Sequence, residues 1–349
     1  MVVIIQLLYN IHTECQEAKL EIMLYWYNTR KGLHDPAIRL RRSGRSIIYS
    51  MKKIKALVLF SGGLDSLLAM KLLQEQDISV TALIFKSYFF SSKKAEKNAK
   101  QLNVPVIVSD ISKKHLEVVK NPASGHGKAA NPCIDCHLLM LRQAKKIAEK
   151  RGFDLIATGE VLGERPFSQN KNALEKIKKN SGLSEILLRP LSAKLLEPTI
   201  LEEKGLINRE RLEAISGRSR KRQLELAKKY KLKFPTPGGG CILTEKEFGK
   251  KLFDLFEKQP DFEENDLKLL FFGRHFWNNN TKIVIGRNKE ENEKLKKLFQ
   301  KGDILIEPEF PGPTALISGK SSKENIAKAK TLILKYSKPP SKKLFKIKA

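Results

Sequence analysis

A glycine-rich turn near residue 60 carries groups that could bind an anion. Its sequence is Ser61-Gly62-Gly63-Leu64-Asp65-Ser66, and an apolar run leads into it. Glycines let a backbone approach phosphates closely, and the serines add hydroxyl donors. The positive end of the helix that follows favours negative charge. Because the carboxylate of Asp65 would repel phosphate, we expect Asp65 to act through a Mg²⁺ ion that bridges it to a nucleotide.

Three cysteines form a second set of reactive residues. Cys133 and Cys136 have Cys-x-x-Cys spacing, His137 follows them, and Cys241 stands after three glycines. A cysteine near a helix N-terminus has a lowered pKa, which favours the thiolate. Such thiolates serve as nucleophiles, persulfide carriers or metal ligands. The residues alone leave open sulfur transfer by cysteines, zinc with His137 as fourth ligand, and a structural role.

Short apolar runs alternate with helical patterns through the first half of the chain. The predicted strands are 55–60, 79–85, 104–109 and 153–158, and the predicted helices are 65–76, 92–102, 112–120 and 135–151. This alternation predicts an α/β fold with a doubly wound parallel sheet. Ligands of such sheets bind at the carboxyl ends of the strands. Ala157-Thr158-Gly159 ends the fourth strand, so we expect Thr158 and Gly159 to flank the nucleotide.

The remaining sequence suggests further segments. Residues 1–50 look foreign to the rest, and Met51 is a plausible natural start. A cluster of helix and strand breakers at 235–241 is expected to close the first domain. We therefore predict an extension of doubtful reality at 1–50, an α/β domain at 51–244, a smaller α+β domain at 245–336 and a disordered basic tail at 337–349.

The charge of the chain points to a polyanionic partner. Lys and Arg number 66 against 38 Asp and Glu, a formal net charge of +28. Nucleic acid is the first candidate, and a lysine-rich proteome or thermal adaptation is the alternative, although the latter enriches Glu as well. One local cluster is expected to contact phosphates, namely Arg209, Arg211, Arg218, Arg220, Lys221 and Arg222. No apolar run could span a bilayer and the N-terminus is a poor signal peptide, so we expect a cytoplasmic protein without a membrane partner.

The motifs together resemble a known family. The turn at 61–66 matches the SGGxDS signature of the pyrophosphate-loop (PP-loop) ATP pyrophosphatases. With Asn131-Pro132, Ala157-Thr158-Gly159 and the late Cys241, the region 55–245 resembles the tRNA thiolases. The resemblance implies an adenine nucleotide alpha hydrolase-like fold and an ATP-dependent tRNA sulfurtransferase. That enzyme would adenylate a uridine carbonyl oxygen and replace it with sulfur, giving 4-thiouridine or 2-thiouridine. The implied partners are tRNA and a sulfur donor, which is a cysteine desulfurase, a sulfur carrier or sulfide.

The resemblance also implies roles for individual residues. Cys136 and Cys241 match the sulfur-handling pair, and Asp65 the residue that acts through Mg²⁺. One branch of thiolases adds a further interpretation, a [4Fe–4S] cluster held by Cys133, Cys136 and Cys241. Two departures are Cys133 where Asp is usual and Glu160 where His is common. The implied ATP contacts are Ser61, Gly62, Gly63, Asp65, Ser66, Phe85, Thr158 and Gly159.

The C-terminal part resembles the RNA-binding domain of the NFACT proteins. The similarity rests on Gly286-Arg287-Asn288, Gly302-Asp303 and Pro311-Gly312. It implies RNA contacts, for which the candidates are Arg274, His275, Trp277 and Arg287. An ordinary α+β packing domain is the alternative. For the whole chain, the alternatives are another PP-loop tRNA-modifying ligase and an RNA-binding protein with a vestigial nucleotide site.

Overall fold

The structure is a computed structural model. It describes residues 53–235, 240–319, 322–338 and 344–349, and the backbone of 37–42 and 45–50. Most of the predicted extension and the glycines before Cys241 lie outside the described residues, apart from Gly240. Within the described part of the chain, no helix is both long and apolar enough to cross a bilayer.

Strands and helices alternate through the first half of the chain, and every element predicted there is present. The strands are β1 Ala37–Arg42, β2 Arg45–Ser50, β3 Lys55–Leu59, β4 Ser79–Lys86, β5 Val106–Asp110, β6 Leu155–Thr158, β7 Leu187–Leu188, β8 Arg274–Asn278, β9 Thr281–Ile285, β10 Ile304–Pro308, β11 Ala315–Ser318 and β12 Phe345–Lys348. The α-helices are α1 Leu64–Gln74, α2 Lys93–Ala99, α3 Ser112–Lys120, α4 Cys133–Arg151, α5 Lys171–Ser181, α6 Ile200–Glu203, α7 Lys221–Lys229, α8 Lys246–Lys258, α9 Glu264–Leu269, α10 Lys289–Leu298 and α11 Lys323–Lys335.

The described residues form two compact units. The first contains the residues up to Phe85 together with 92–109 and 137–235. The second contains 86–91, 110–136 and the residues from 240 onward. The second unit therefore draws on three separate stretches of sequence. The domain boundaries expected from the sequence, with a division after residue 244, remain a prediction.

A parallel sheet organises the first unit. Its order is β5-β4-β3-β6-β7, with β3 pairing in parallel with β4 and β6, and β6 with β7. Because the chain moves outward from β3 in both directions, the order reverses between β3 and β6, which is where such sheets bind ligands. Buried side chains of β3, β4 and α1, including Val58, Leu67 and Leu68, form its core. The predicted α/β fold with a doubly wound parallel sheet is confirmed.

An antiparallel sheet organises the later part of the second unit. Its order is β12-β10-β11-β9-β8, and α10 and α11 bury Leu295 and Ile333 against it. The predicted α+β character of this part is confirmed. The prediction of a disordered tail is wrong for its last residues, because β12 pairs with β10. The alternation Phe345-Lys346-Ile347-Lys348 suits a strand, and the ring of Phe345 contacts that of Phe310 at a centroid distance of 5.6 Å.

A separate apolar core holds the segment that precedes α4. Phe89, Val119 and Ala130 pack there with Phe248 and Leu252 of α8. The contact is close, since a β-carbon on Gly249 would lie 3.1 Å from both the β-carbon of Ala129 and the nitrogen of Ala130. This core fixes the chain that leads into the Cys-x-x-Cys motif.

Candidate nucleotide loop and cysteine group

The glycine-rich turn connects β3 to α1 in a backbone conformation that requires glycine. Gly62 has φ of +75°, in the left-handed region, and a β-carbon there would lie 2.7 Å from Cα of Ala95. The side chain of Asn98 donates to the carbonyl oxygen of Gly62 at 2.7 Å. The turn is thus held tightly against α2.

The two serines of the turn bond to the turn itself. Oγ of Ser66 donates to the carbonyl oxygen of Gly63 at 2.9 Å, and the amide of Gly63 donates to Oγ of Ser61 at 3.3 Å. Gly63 is the N-cap of α1, and no side chain caps that helix. The first amides of a helix lack partners within it, so an uncapped N-terminus suits an anion.

The turn lies beside the end of β6, as the sequence predicts. A β-carbon on Gly159 would be 2.6 Å from the amide nitrogen of Ser66, so only glycine fits. Thr158 is buried, and its hydroxyl donates to Glu160 at 3.0 Å. Phe85 is also buried, near the end of β4. The structure brings the serine-glycine turn and Thr158-Gly159 together at the switch point of the sheet.

A buried ionic network starts at the residue after Gly159. Glu160 accepts hydrogen bonds from Nε of Arg189 at 2.9 Å, and its other oxygen is 2.7 Å from Nδ1 of His137. Burial opposes ionisation of Glu160, but the charge of Arg189 and the contact with His137 outweigh it, so the pKa of Glu160 lies well below its usual range. Glu160 therefore carries a negative charge that orients His137.

A second charged group surrounds Asp65. Nη2 of Arg220 lies 3.4 Å from Asp65, and Nε of Arg220 lies 3.8 Å from Glu164. Burial raises the pKa of Asp65, and Arg220 opposes that shift. The fully buried amide of Gln223 lies beside the same carboxylate. Arg220 thus has an acidic partner in the nucleotide loop, and its contact with RNA remains a prediction.

The other basic residues of the predicted cluster differ in their partners. Arg222 forms hydrogen bonds with both carboxylate oxygens of Glu213, at 2.8 and 3.0 Å. Arg209 pairs with Glu202 at 2.7 Å, and Arg211 donates to the carbonyl oxygen of Glu75 at 2.5 Å. Arg218 and Lys221 are exposed. Their contact with RNA remains a prediction.

The second unit brings the three cysteines together. Cys133 begins α4 and accepts a hydrogen bond from the amide of Asn131 at 3.2 Å. Cys136 lies one turn further along, and Cys241 is the N-cap of the short 3-10 helix Ile242–Thr244. Burial is the main cause that raises the pKa of Cys136, and the charges of Cys241 and Cys133 raise it further. All three thiols are free of disulfides.

This corrects one expectation from the sequence. The helix N-terminus was expected to lower the pKa of a cysteine here, whereas the pKa of Cys136 is raised. The reason is that burial and neighbouring negative charge outweigh a helix end. Among the residues that the structure describes, no group of three or more His, Cys, Asp or Glu side chains is arranged to hold a metal ion.

Several side chains of the second unit that were expected to contact RNA have partners within the protein. The guanidinium of Arg274 lies 4.4 Å from the ring centre of Tyr336, and Arg287 pairs with Glu291. Nε2 of His275 faces the carbonyl oxygens of Leu269 and Phe272. Burial lowers the pKa of His275 to about 3, so this ring is neutral. Trp277 packs against the apolar core beneath α8.

Sequence reasoning missed several residues of these groups. Arg189, Glu164 and Gln223 carried no motif, and only folding places them beside Glu160 and Asp65. One signal was present, since Glu160 departs from the histidine common in the family while His137 follows the Cys-x-x-Cys motif. The departure at Glu160 and the histidine after the Cys-x-x-Cys motif together form the contact between Glu160 and His137.

The first unit has an α/β fold with a Ser-Gly-Gly-Leu-Asp-Ser turn between β3 and α1. Residues 52–195 match the family model described as thiamine biosynthesis protein (ThiI). Residues 273–349 match the model described as NFACT protein RNA binding domain. The predicted resemblance to PP-loop thiolases, with an NFACT-type domain at the C-terminus, is confirmed for these two segments.

Two curated relatives match part of this chain. A protein of Finegoldia magna named "probable tRNA sulfurtransferase" is 32% identical over 143 residues, which are 40% of this chain and 36% of the relative. An uncharacterized protein of Methanocaldococcus jannaschii is 24% identical over 152 residues, or 40% of this chain and 52% of the relative. The chain thus spans between about a third and a half of the length of the curated relatives it matches.

Two solved structures were also compared. A 4-thiouridine synthetase in complex with RNA and ATP has 21% identity and a TM-score of 0.34, covering 62% of this chain and 52% of that one. The U34-tRNA thiolase NcsA of Methanococcus maripaludis, solved with its [4Fe–4S] cluster, has 14% identity and a TM-score of 0.31, covering 72% and 77%. With scores this low, neither likeness bears on the function of the chain.

Proposed function

We propose that this chain is an ATP-dependent tRNA sulfurtransferase. The observation that carries the proposal is the uncapped, glycine-rich turn at the switch point of a parallel sheet, within the segment that matches the ThiI family. The three cysteines of the second unit, none of which is in a disulfide, support sulfur chemistry, and the NFACT-type segment supports an RNA substrate. Analysis of the tRNA nucleosides identifies the uridine that is modified and the oxygen that is replaced.

The first step activates the base. A uracil carbonyl oxygen is a poor leaving group, and transfer of AMP to it makes it a good one. The oxygen attacks the α-phosphorus of ATP, and pyrophosphate leaves. The amides at the start of α1 and the hydroxyls of Ser61 and Ser66 would stabilise the negative charge of the phosphates. Phe85, Thr158 and Gly159 would line the nucleotide.

The second step transfers sulfur. The terminal sulfur of a persulfide on Cys136 or Cys241 attacks the activated carbon, and AMP leaves with the former carbonyl oxygen. The thiolate of the other cysteine then attacks the persulfide cysteine, which frees the thiocarbonyl and leaves a disulfide. An external thiol must reduce that disulfide before the next turnover.

The side chains of this protein suit two further groups, a Mg²⁺ ion and an iron–sulfur cluster, to different degrees. Mg²⁺ prefers oxygen ligands, and Asp65 has one buried carboxylate oxygen without a partner, so Asp65 and Glu164 would hold it. For an iron–sulfur cluster, the thiolates of Cys133, Cys136 and Cys241 are suitable donors, but in the described structure they lack the arrangement of a metal site. If bound, a [4Fe–4S] cluster would supply an iron that binds sulfide.

The net charge supports tRNA as the substrate. A formal charge of +28 attracts a polyanion over distances set by ionic strength. RNA contact by Arg218, Lys221, Arg222, Arg274 and Arg287 is part of the proposal. Binding should weaken steeply with salt, because neutralised phosphates release counterions.

The decisive test combines nucleoside analysis with purified protein. Mass spectrometry of tRNA nucleosides from a strain without this chain should show loss of 4-thiouridine or of a 2-thiouridine. The purified protein should release pyrophosphate from ATP in response to tRNA. Cys136→Ala and Cys241→Ala should each abolish thiolation while ATP binding persists. An unchanged nucleoside profile, or thiolation retained in either variant, would refute the proposal.

The same experiment separates the alternatives. Another PP-loop ligase would release pyrophosphate but would not need the cysteines. A protein with a vestigial nucleotide site would bind tRNA without releasing pyrophosphate. Anaerobic reconstitution with iron and sulfide decides the cluster alternative, since a bound cluster absorbs visible light and cysteine thiols do not.

A further inference from the structure

Arg220 occupies a position between two carboxylates of the nucleotide loop region. Its Nη2 lies 3.4 Å from Oδ2 of Asp65, and its Nε lies 3.8 Å from Oε1 of Glu164. The acidic side chains are only 18% and 17% exposed, and Arg220 itself is 27% exposed. Burial raises the pKa of Glu164, and the charge of the nearby Asp65 raises it further. One guanidinium charge therefore faces two partly buried carboxylates.

A second observation shows that this group of residues is incomplete. Gln223 is fully buried, yet in the described structure neither its Oε1 nor its Nε2 has a hydrogen-bond partner. The same holds for Oδ1 of Asp65, beside which the amide of Gln223 lies. Buried polar groups in native proteins are nearly always paired, so unpaired ones call for a bound ion, water or ligand. An unpaired carboxylate oxygen of Asp65 thus lies beside the unpaired, buried amide of Gln223.

The chemistry of these oxygens favours a divalent cation. Carboxylate and amide oxygens are hard ligands, as Mg²⁺ and Mn²⁺ prefer. In the described structure the guanidinium of Arg220 donates to Oδ2 of Asp65 and leaves Oδ1 without a partner, whereas its planar fork would match a phosphate well. Arg220 precedes the first residue of α7 and has φ of −101° and ψ of 8°, outside the helix, so its side chain can turn without disturbing the helix.

We propose that Arg220 holds the place of a divalent cation while the loop is free of nucleotide. The cation that arrives with ATP binds Asp65, Glu164 and the amide oxygen of Gln223, and the displaced guanidinium moves to the pyrophosphate portion of the nucleotide. Exchange leaves both carboxylates neutralised and places a positive charge on the leaving group. The part of this inference that concerns ATP rests on the proposed function.

The test measures cation binding with and without nucleotide. Mn²⁺ binding to the full chain is followed by electron paramagnetic resonance, and ATP binding in the presence of Mg²⁺ by calorimetry. Arg220→Ala removes the competitor, so we expect its Mn²⁺ affinity without nucleotide to rise on the order of tenfold. Its affinity for ATP with Mg²⁺ should fall, because the phosphates lose the guanidinium. These opposite changes distinguish exchange from a purely structural ion pair, whose loss would lower both affinities.

Arg142→Ala is the matched control. Arg142 lies on α4, outside the proposed sites, and its guanidinium donates to the carbonyl oxygen of Asn180 at 3.1 Å. Its removal should leave both affinities unchanged. Arg220→Lys provides a variant that keeps the charge and loses the fork, and it should bind Mn²⁺ like the wild type while binding ATP less tightly. Mn²⁺ affinity in Arg220→Ala that is unchanged or lower would overturn the proposal, as would a loss of tRNA affinity alone.

The role of Gln223 is tested by Gln223→Leu. This variant keeps a similar volume and removes the amide oxygen, so Mn²⁺ should bind several-fold less tightly in it and also in the double variant with Arg220→Ala. Unaltered Mn²⁺ affinity would exclude Gln223 as a ligand and overturn that part of the proposal. The Mn²⁺ measurement needs no nucleotide. If the wild type failed to bind ATP, the proposed function would fail; if ATP bound normally but Arg220→Ala left Mn²⁺ binding unchanged, only this inference would fail.

Discussion

Nε of Arg189 lies 2.9 Å from the carboxylate of Glu160, and both side chains are buried. A buried ion pair is strongly destabilised when one partner is removed, because the other charge then remains without compensation. Glu160→Gln should therefore lower the free energy of unfolding by about 3–5 kcal/mol. Thermal unfolding at pH 7 measures this effect. The double variant Glu160→Leu with Arg189→Met is the control and should recover much of the loss.

The same pair predicts a dependence of stability on acid. The pKa of Glu160 in the folded protein is lowered from its ordinary 4.5. Its stabilisation is thus fully present above pH 4.5 and is lost as pH falls below that value. The wild type should lose its advantage over Glu160→Gln as unfolding is measured at successively lower pH. A constant difference between the two proteins down to pH 3 would contradict the assignment.

Glycines 159 and 63 should respond differently to replacement by alanine. A β-carbon at residue 159 would lie 2.6 Å from the backbone nitrogen of Ser66, whereas one at residue 63 meets only Oγ of Ser61 at 3.4 Å. Gly159→Ala should cost about 1–3 kcal/mol of stability through overpacking. Gly63→Ala should fold normally but bind ATP less tightly, because its methyl group stands where phosphate must approach. Equal stabilities of the two variants would refute this account.

Gln223→Leu should stabilise the protein. The buried amide lacks partners in the described structure, and its desolvation opposes folding. Replacing it with an apolar side chain of similar volume should raise the free energy of unfolding by about 1–3 kcal/mol in the absence of divalent cations. Thermal unfolding in the presence of a chelator measures this. Destabilisation would mean that the amide has partners that the contacts do not reveal.

Cys136 should react slowly with alkylating reagents. Its pKa is raised above the ordinary 9.0, mainly by burial, so little thiolate is present at neutral pH. The rate of carbamidomethylation at Cys136, followed by peptide mass spectrometry across pH, should have its midpoint above 9.0. Cys241→Ser should lower that midpoint, since the charge of Cys241 contributes to the shift. A midpoint below 9.0 would contradict this prediction and would support the activated thiolate expected from the sequence.

His115 should make the second unit sensitive to mild acid. The ring is fully buried against Phe89, and burial lowers its pKa from 6.5 to about 4. Its neutral form thus stabilises the fold fully above pH 6.5, and this contribution is lost as pH falls towards 4. The full loss is about 3 kcal/mol. His115→Leu should show a flatter stability profile across that range, with His126→Leu as the control.

The order of elements could be predicted from periodicity, because apolar spacing is a local property of the chain. The strands from β3 to β6 and the helices between them follow directly from it. The turn at Gly62 could also be predicted, because two glycines stand between an apolar run and a helical pattern. The strand β12 was missed because a short run of lysines around Phe345 and Ile347 carries little local signal without the edge of a sheet to pair with.

By itself the sequence determined the α/β framework, the glycine-rich turn and the identity of the sulfur groups. Only the tertiary structure decided what surrounds them: Arg220 beside Asp65, Arg189 and His137 on Glu160, and two further thiols next to Cys136. Charge state depends on burial and on neighbours distant in sequence, and neither is encoded in a motif. For that reason the expected low pKa of Cys136 was wrong, although its place at the start of a helix was foreseen.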